Sequence, residues 1–445
     1  MEPSTVPLRR TGASIHGLRV EVLEGPDRGR SAEAAGPSLS IGTAQDNDLV
    51  LQDPSVSRYH LELRREAKAI ILEDLRSTNG TLIAASSAEV RVERAYLEPG
   101  VILQLGRSKV RVDDGAMIEV EALEEDRLGR VLGRSPAMRR LMAKIDSAAS
   151  SDASVLLLGE TGVGKEVLAR AIHESSARAK GPFETVDCGV LLPTLVQSEL
   201  FGHEKGAFTG ADAQYLGAFQ RANGGTIFLD EIGELPKDTQ TNLLGALERR
   251  LIRPVGGSRQ IPIDVRVLAA THRDLRAEVN TGAFRQDLYY RLAVLTLKIP
   301  PLRQRTEDIP MLVEHFAREV GQEELAAKIL GPEILAKWKA HDWPGNVREL
   351  RNVVEATLAL GEPPPLERAT TANRTGGFDP QLMGNANYHE LRNELLSDFE
   401  RKYLTELLRR ASGNVSAAAR LSGLSRTHLI AMLKRHNIDG RVLFE

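Results

Sequence analysis

The chain has 445 residues, 58 Lys and Arg against 61 Asp and Glu, and 42% apolar residues. That length exceeds what one hydrophobic core organises and implies about three domains, while the near-zero net charge by itself says nothing about nucleic acid. A single cysteine, Cys188, excludes an intramolecular disulfide and a cysteine-based zinc cluster. No apolar run approaches the roughly 20 residues of a membrane span, and the first residues lack the apolar stretch of a secretion signal. The expected location is therefore a reducing compartment, the cytoplasm, with no membrane partner.

Residues 15–118 alternate short apolar runs ("LRVEVLEG", "SLSIGT", "HLELRR", "AIILEDL", "SKVRV") with turn residues, which predicts an all-β sandwich. From 131 to 360, strand-like runs ("SVLLLG", "TIFLDE", "DVRVLAAT") alternate with helical patterns, the signature of an α/β domain with a parallel sheet. Residues 361–390 are rich in Pro, Gly and Thr, too polar to pack, and read as a linker. Residues 391–445 read as helical and mildly basic, with ten Lys or Arg against six Asp or Glu.

The chemistry-bearing motif of the middle segment is strand, glycine loop, helix. Gly159-Glu160-Thr161-Gly162-Val163-Gly164-Lys165 has phosphate-loop spacing. Glycines let backbone N–H groups turn inward around phosphates, Lys165 reaches the β and γ phosphates, and the following helix presents its positive end. The generic pattern has Ser or Thr after the lysine to hold magnesium; here it is Glu166. "GGTIFLDEIGEL" supplies the second half, a buried strand ending in Asp230 and Glu231, 65 residues beyond Lys165. At a strand's carboxyl end, Asp230 would organise Mg²⁺, through water, and Glu231 would polarise the attacking water. The cofactors expected are ATP and Mg²⁺.

These stretches, with "ELFGHEKGAFTGA", "FRQDLYYRL", "PPLRQRTEDIP" and "WPGNVRELRNVVE", resemble the AAA+ domain of bacterial sigma-54-dependent transcriptional activators, including the Glu166 that departs from the generic loop. The resemblance implies an α/β ATPase with a helical lid. It implies that Gly206, Ala207, Phe208, Thr209, Gly210 and Ala211 tip a loop that touches sigma-54. Phe208 would supply an apolar contact worth roughly 1.5 to 3 kcal/mol when buried, made and released during turnover. Arg285 and Arg291 would reach the nucleotide site of a neighbouring subunit, Arg348 would sense the γ phosphate in its own, and 248–266 would form a second pore-side loop. Two positions depart from the family. His272 stands where Asn is usual, beside the first-sensor Thr271. Asp187 stands where an Asn usually restrains Glu231, so that restraint is expected to change.

"GNVSAAARLSGLSRTHLIAMLKRHNI" reads as two helices around a turn at Gly423, the second opened by Ser425. It resembles the Fis-type helix-turn-helix that ends these activators. The resemblance implies an all-α DNA-binding domain that meets double-stranded upstream DNA with Ser425, Arg426, Thr427, His428, Lys434 and Arg435. "LSIGTAQDNDLVLQDPSVSRYHLEL" and "ILEDLRSTNGTLI" resemble a forkhead-associated (FHA) domain, whose Ser57, Arg58, Thr78 and Asn79 would hold a phosphothreonine protein or kinase. Thr43 replaces the family's Arg after Gly42, which removes one phosphate-side cation. The whole then resembles a multidomain activator that forms a dimer to a hexamer ring, hydrolyses ATP and remodels sigma-54 RNA polymerase. An FHA interaction scaffold and a sigma-54-independent AAA+ regulator are the alternatives.

Overall fold

The computed structural model describes residues 10–366, except 35, 67–68, 85–88 and 190–192, together with Leu404, Val415, Leu429 and Leu433. The first segment is a sandwich of a six-stranded and a five-stranded sheet. Its two longest strands, Arg10–Glu24 and Ser108–Leu123, pair antiparallel from Arg10 opposite Leu123 to Glu24 opposite Lys109, so the sheet runs past both ends of 15–118. In the five-stranded sheet, Leu61–Glu66 pairs with both Ser38–Gly42 and Ala69–Asp74. Leu18, Val20, Leu39, Ile41, Leu61, Leu63 and Leu103 point between the sheets and are fully buried. Alternation of inward apolar and outward polar residues makes this packing possible.

The middle segment folds around a five-stranded parallel sheet, in the order Phe183–Asp187, Thr226–Asp230, Arg266–Thr271, Val155–Leu158, Leu295–Lys298. The central strands are apolar along their length because helices cover both faces. Every residue of Arg266–Thr271 is buried, and so are the first four of Thr226–Asp230. Phe228, fully buried, stacks on Phe183 at 6.2 Å. Truncating it to Ala would cost about 3–5 kcal/mol. The sheet order places the loops after Val155–Leu158, Thr226–Asp230 and Arg266–Thr271 side by side at one edge, where a ligand site is expected.

Four helices complete this segment: Ile309–Glu319, Glu323–Ile329, Pro332–Lys339 and Asn346–Leu360. They enclose a separate small core of Phe316, Trp338, Trp343, Leu350 and Val354. Trp343 donates its indole N–H to the Trp338 carbonyl at 2.7 Å, which satisfies the polar end of a buried ring. Asp308 ties these helices to the sheet domain by accepting from Ser135 N at 2.7 Å and Ser135 Oγ at 2.9 Å.

The sandwich and the α/β domain share an apolar cluster. Ala44, Tyr59 and Leu75 of the sandwich pack with Leu275, Val279 and Tyr289. The sequence predicts two domains and gives no sign of this contact. Residues 369–445 form a second unit. Of its described residues, Leu404, Leu429 and Leu433 are helical and buried, and Val415 is helical.

Candidate nucleotide-binding site and its attached loops

The phosphate loop follows strand Val155–Leu158 and opens helix Lys165–Glu174. Gly162 and Gly164 have left-handed backbones, with φ of 81° and 104°. At Gly162 a side chain is also excluded sterically, because a Cβ would fall 2.2 Å from the Gly345 carbonyl oxygen. Glycine here serves both the turn and the approach of the helical subdomain. Lys165 is buried at 7% exposure, yet its ammonium has two partners: the Gly159 carbonyl at 3.2 Å and Glu231 Oε1 at 3.0 Å.

Asp230 and Glu231 end their strand beside the loop. Glu231 is, among the described residues, one of few non-glycine residues with a left-handed backbone, φ 50°, a conformation that costs roughly 1–2 kcal/mol and turns its carboxylate toward Lys165. Burial alone would raise the Glu231 carboxyl, but hydrogen bonds from Lys165 and His272 outweigh it and hold the group below the usual carboxylate range. Burial raises Asp230, against the attraction of Lys165. The two adjacent carboxylates are thus pushed in opposite directions, and Glu231 is the one held ionised.

The second hand on Glu231 is His272. Its Nδ1 lies 2.7 Å from Glu231 Oε2, and its backbone N–H donates to the same oxygen at 3.3 Å. Asp187 does not take this part. Its carboxylate accepts from the Gly189 N–H at 2.9 Å and points back along its own turn. The two departures noted in the sequence thus differ in their contacts: His272, which follows the buried Thr271, holds the Glu231 carboxylate, whereas Asp187 bonds within its own turn.

The helical subdomain closes on the loop. Asn346 donates to Glu160 Oε2 and to the Thr161 carbonyl, each at 3.1 Å, and Arg303 grips Glu160 with two bonds of 2.8 and 2.6 Å. Arg305 donates to the Val163 carbonyl at 2.9 Å. Arg348 N–H donates to the Gly162 carbonyl at 3.2 Å, which brings the Arg348 side chain to the loop's edge. Glu166 faces out and pairs with Arg170 at 3.2 Å. Arg303, Asn346 and Arg305 are parts of the site that residue-by-residue reasoning missed, although all lie in the quoted "PPLRQRTEDIP" and "WPGNVRELRNVVE" stretches; His272 was singled out, but not its contact with Glu231.

Arg285 caps the start of helix Gln286–Leu292, Arg291 lies in its last turn, and both are exposed. Their bonds go to Asp287, to Thr241 at 3.3 Å and to the Leu247 carbonyl at 3.0 Å, not to the phosphate loop of the same chain. The hexapeptide 206–211 forms a tight loop. Gly206 N–H donates to the Ala211 carbonyl at 2.8 Å, and Gly206 and Gly210 have φ of 82° and 97° with open space around them. Phe208, 37% exposed, rests edge-on against His203 at 4.9 Å, and His203 stacks on Tyr215 at 5.7 Å. Ala207 leans on Gly256 of the second loop, and Ala211 is buried at the base; Thr209 is exposed.

In the sandwich, Ser57 Oγ accepts from the Thr78 N–H at 2.9 Å and lies 3.4 Å from the Thr78 hydroxyl, while Asn79 donates to the Ser55 carbonyl at 2.7 Å. His60, buried beneath them, accepts from the Ser57 N–H at 3.2 Å and meets the Gly80 carbonyl at 3.2 Å. Gly42 is required there, since a Cβ would fall 2.1 Å from the Arg58 carbonyl. A cleft of 530 Å³ opens beside Thr43 and is lined also by Arg30, whose guanidinium pairs with Asp27 at 2.9 Å. Arg58 departs from the expected arrangement: its guanidinium bonds to the α/β domain. Ser425, Arg426, Thr427, His428, Lys434 and Arg435 lie outside the described residues.

Comparison with known proteins agrees with this fold. The sigma-54 interaction domain family matches residues 131–298, the AAA+ ATPase lid domain 303–370, and the Fis family of bacterial regulatory proteins 395–436. Residues 21–115 match the cytoplasmic domain of the inner membrane component of T3SS. The transcriptional regulatory protein GlrR of Escherichia coli (strain K12) is 43% identical over 329 residues, 74% of this chain and 72% of that one. The response regulator protein PilR of Pseudomonas aeruginosa is 42% identical over 343 residues, 76% of each. Among solved structures, NtrX from Brucella abortus in complex with ATP is 34% identical, covers 70% of each chain and has a TM-score of 0.50.

Proposed function

Because the chain belongs to the sigma-54-dependent transcriptional regulators, we propose that its α/β domain hydrolyses ATP in a ring of subunits and uses the 206–211 loop to remodel sigma-54 RNA polymerase. The Fis-type segment would bind double-stranded DNA upstream of the promoter, and the N-terminal sandwich would be an FHA-type module that reads a phosphothreonine protein in the cytoplasm. The observation that carries this reading is the Lys165–Glu231 ion pair of 3.0 Å beside a glycine loop, in a chain whose hexapeptide loop keeps Phe208 at its tip.

The residues fit a nucleotide. Lys165 is buried with a carboxylate and one carbonyl as partners, and phosphate oxygens are stronger acceptors for it than the carbonyl. Among the described residues no cluster of three His, Cys, Asp or Glu side chains makes a metal site of its own, so magnesium held at Asp230 would share its ligands with phosphate oxygens and water. Bound there, the ion would offset charge on the β and γ phosphates. Lys165 exchanges Glu231 for phosphate. Glu231, ionised and steadied by His272, then orients and polarises the attacking water. Arg348 lies against the phosphate loop and can report its occupancy to the helical subdomain. Arg285 and Arg291 of one subunit offset charge developing in the neighbour's site.

The inert-scaffold reading is disfavoured by the intact set of Lys165, Asp230, Glu231, Arg285 and Arg291. The sigma-54-independent reading is disfavoured by the complete hexapeptide. Phosphate release by the purified chain tests the ring. Specific activity should climb with protein concentration, because the arginines act across subunits. Activity that is absent, or flat across a hundredfold range of concentration, would contradict it.

A further inference from the structure

The loop face expected to take a phosphothreonine is partly taken by the ATPase domain. Arg58 Nη1 donates to Gln286 Oε1 at 3.1 Å, and Nη2 donates to the Val279 carbonyl at 2.9 Å. Asn280, beside Val279, is plugged into the sandwich backbone: its amide donates to the Tyr59 and Leu75 carbonyls and accepts from the Tyr59 N–H. Tyr59 is fully buried, edge-on to Tyr289 at 5.7 Å, with Arg276 5.5 Å over its face. Tyr290 donates to Asp46 at 3.3 Å, and Lys298 pairs with Glu62 at 3.3 Å.

Two features set Arg58 apart from the rest of this interface. It follows Ser57 directly and is the cation nearest the Ser57–Thr78 hydroxyl pair in sequence. Both of its acceptors are neutral, an amide and a carbonyl at the last turn of helix Leu275–Thr281. A phosphothreonine brings three acceptor oxygens and a charge of about −1.5 to −2, and charge-assisted bonds are roughly twice as strong as neutral ones. With Thr43 in place of a second cation, a phosphate at Ser57 has strong reason to recruit Arg58. One guanidinium cannot serve both partners.

Of the two acceptors of Arg58, Gln286 belongs to helix Gln286–Leu292, which carries Arg285 at its start and Arg291 in its last turn. Gln286 and Tyr290, which face the sandwich, lie on the same short helix.

We propose that a phosphothreonine peptide and the ATPase domain compete for Arg58, so that peptide binding undocks the sandwich and frees helix Gln286–Leu292 for the neighbouring subunit. The effect on assembly rests on the ring-forming reading above; the competition itself does not.

The test uses the full chain and a degenerate peptide pool with a fixed central phosphothreonine, against the same pool with threonine. Anisotropy gives affinity, and hydrogen exchange over 275–292 gives docking. The phosphorylated pool should bind preferentially and raise exchange in 275–292. Asn280→Ala loses only contacts to the sandwich and should bind the phosphorylated pool about tenfold more tightly, because less of the chain is held in the docked form. Gln286→Ala, which removes one Arg58 acceptor, should shift affinity in the same direction. Arg58→Ala should show raised exchange without peptide and lose the preference for phosphate. The proposal is overturned if the phosphorylated pool binds without changing exchange, if it binds wild type and both ATPase-side variants equally, or if phosphate brings no preference. All these readouts persist if the chain proves unable to hydrolyse ATP, so the two failures are distinguishable.

Discussion

Lys165 and Glu231 form one ion pair, 3.0 Å from ammonium to carboxylate, so the cation proposed to bind phosphate and the carboxylate proposed to polarise water neutralise each other across the mouth of the site. On that proposal, occupying Lys165 with phosphate separates them. The pair makes binding and chemistry separable by mutation. Lys165→Ala should weaken ATP binding by roughly tenfold to a hundredfold, the loss of a charged hydrogen bond of about 1.5–3 kcal/mol. Glu231→Ala should bind ATP at least as well as wild type and fail to hydrolyse it. Calorimetric titration with ATP and a phosphate-release assay decide; equal loss of affinity in the two variants would contradict the roles.

His272 acts on Glu231 through its ring Nδ1 at 2.7 Å. Its contact is with the proposed base and not with the phosphate loop, so its removal should appear in kcat and leave KM nearly unchanged. We expect His272→Ala to lower kcat by about tenfold, the scale of one lost hydrogen bond of roughly 1 kcal/mol or a little more. His272→Asn, which can still donate to Oε2, should recover most of it. A change confined to KM would place His272 in nucleotide binding instead.

Phe208 stands on His203, edge to face at 4.9 Å, and neither ring touches the nucleotide residues. Phe208→Ala should keep ATP hydrolysis within about twofold of wild type, since no phosphate contact is lost, and abolish transcriptional activation. His203→Ala removes the pedestal and should reduce activation without abolishing it. Full activation by Phe208→Ala would remove this ring from the sigma-54 contact.

His60 gives the sandwich a pH dependence. The Ser57 N–H occupies the Nδ1 lone pair, so the proton sits on Nε2 and points to the Gly80 carbonyl. Burial lowers this imidazole below its ordinary value, more than the charge of Asp74 raises it. The unfolded chain then takes up the proton first as pH falls. Stability from the neutral ring is complete above about 6.5 and declines below it toward the folded value. Hydrogen exchange over 57–61 and 75–81 should quicken at pH 5.5 relative to pH 7.5, beyond the intrinsic change. His60→Gln should flatten that difference; an unchanged slope would assign the titration elsewhere.

The glycine loop, Lys165, Asp230 and Glu231 were legible in the sequence because their function is local: a strand end, a turn that only glycine can make, and a charge at a fixed offset. His272 was visible as an oddity but not as a partner of Glu231. That contact joins the ends of two strands adjacent in the sheet but 41 residues apart in the chain, and the short Asp187 side chain was the nearer suspect. The Glu160 clamp by Arg303 and Asn346 depends on how the helical subdomain folds back, which no periodicity encodes. Docking of Arg58 was wholly illegible. A Ser-Arg pair on a sandwich loop announces a phosphate, whereas Val279 and Gln286 carry no pattern that marks them as acceptors.

The central claim is that ATP hydrolysis at Lys165 and Glu231 drives a sigma-54 contact made by the 206–211 loop. Transcription in vitro from a sigma-54 promoter carrying an upstream site for this protein, with purified polymerase, measures it most directly. The account predicts transcripts with ATP, none with a non-hydrolysable analogue, and none from Glu231→Ala or Phe208→Ala. Equal transcript levels without ATP, or from either variant, would contradict it.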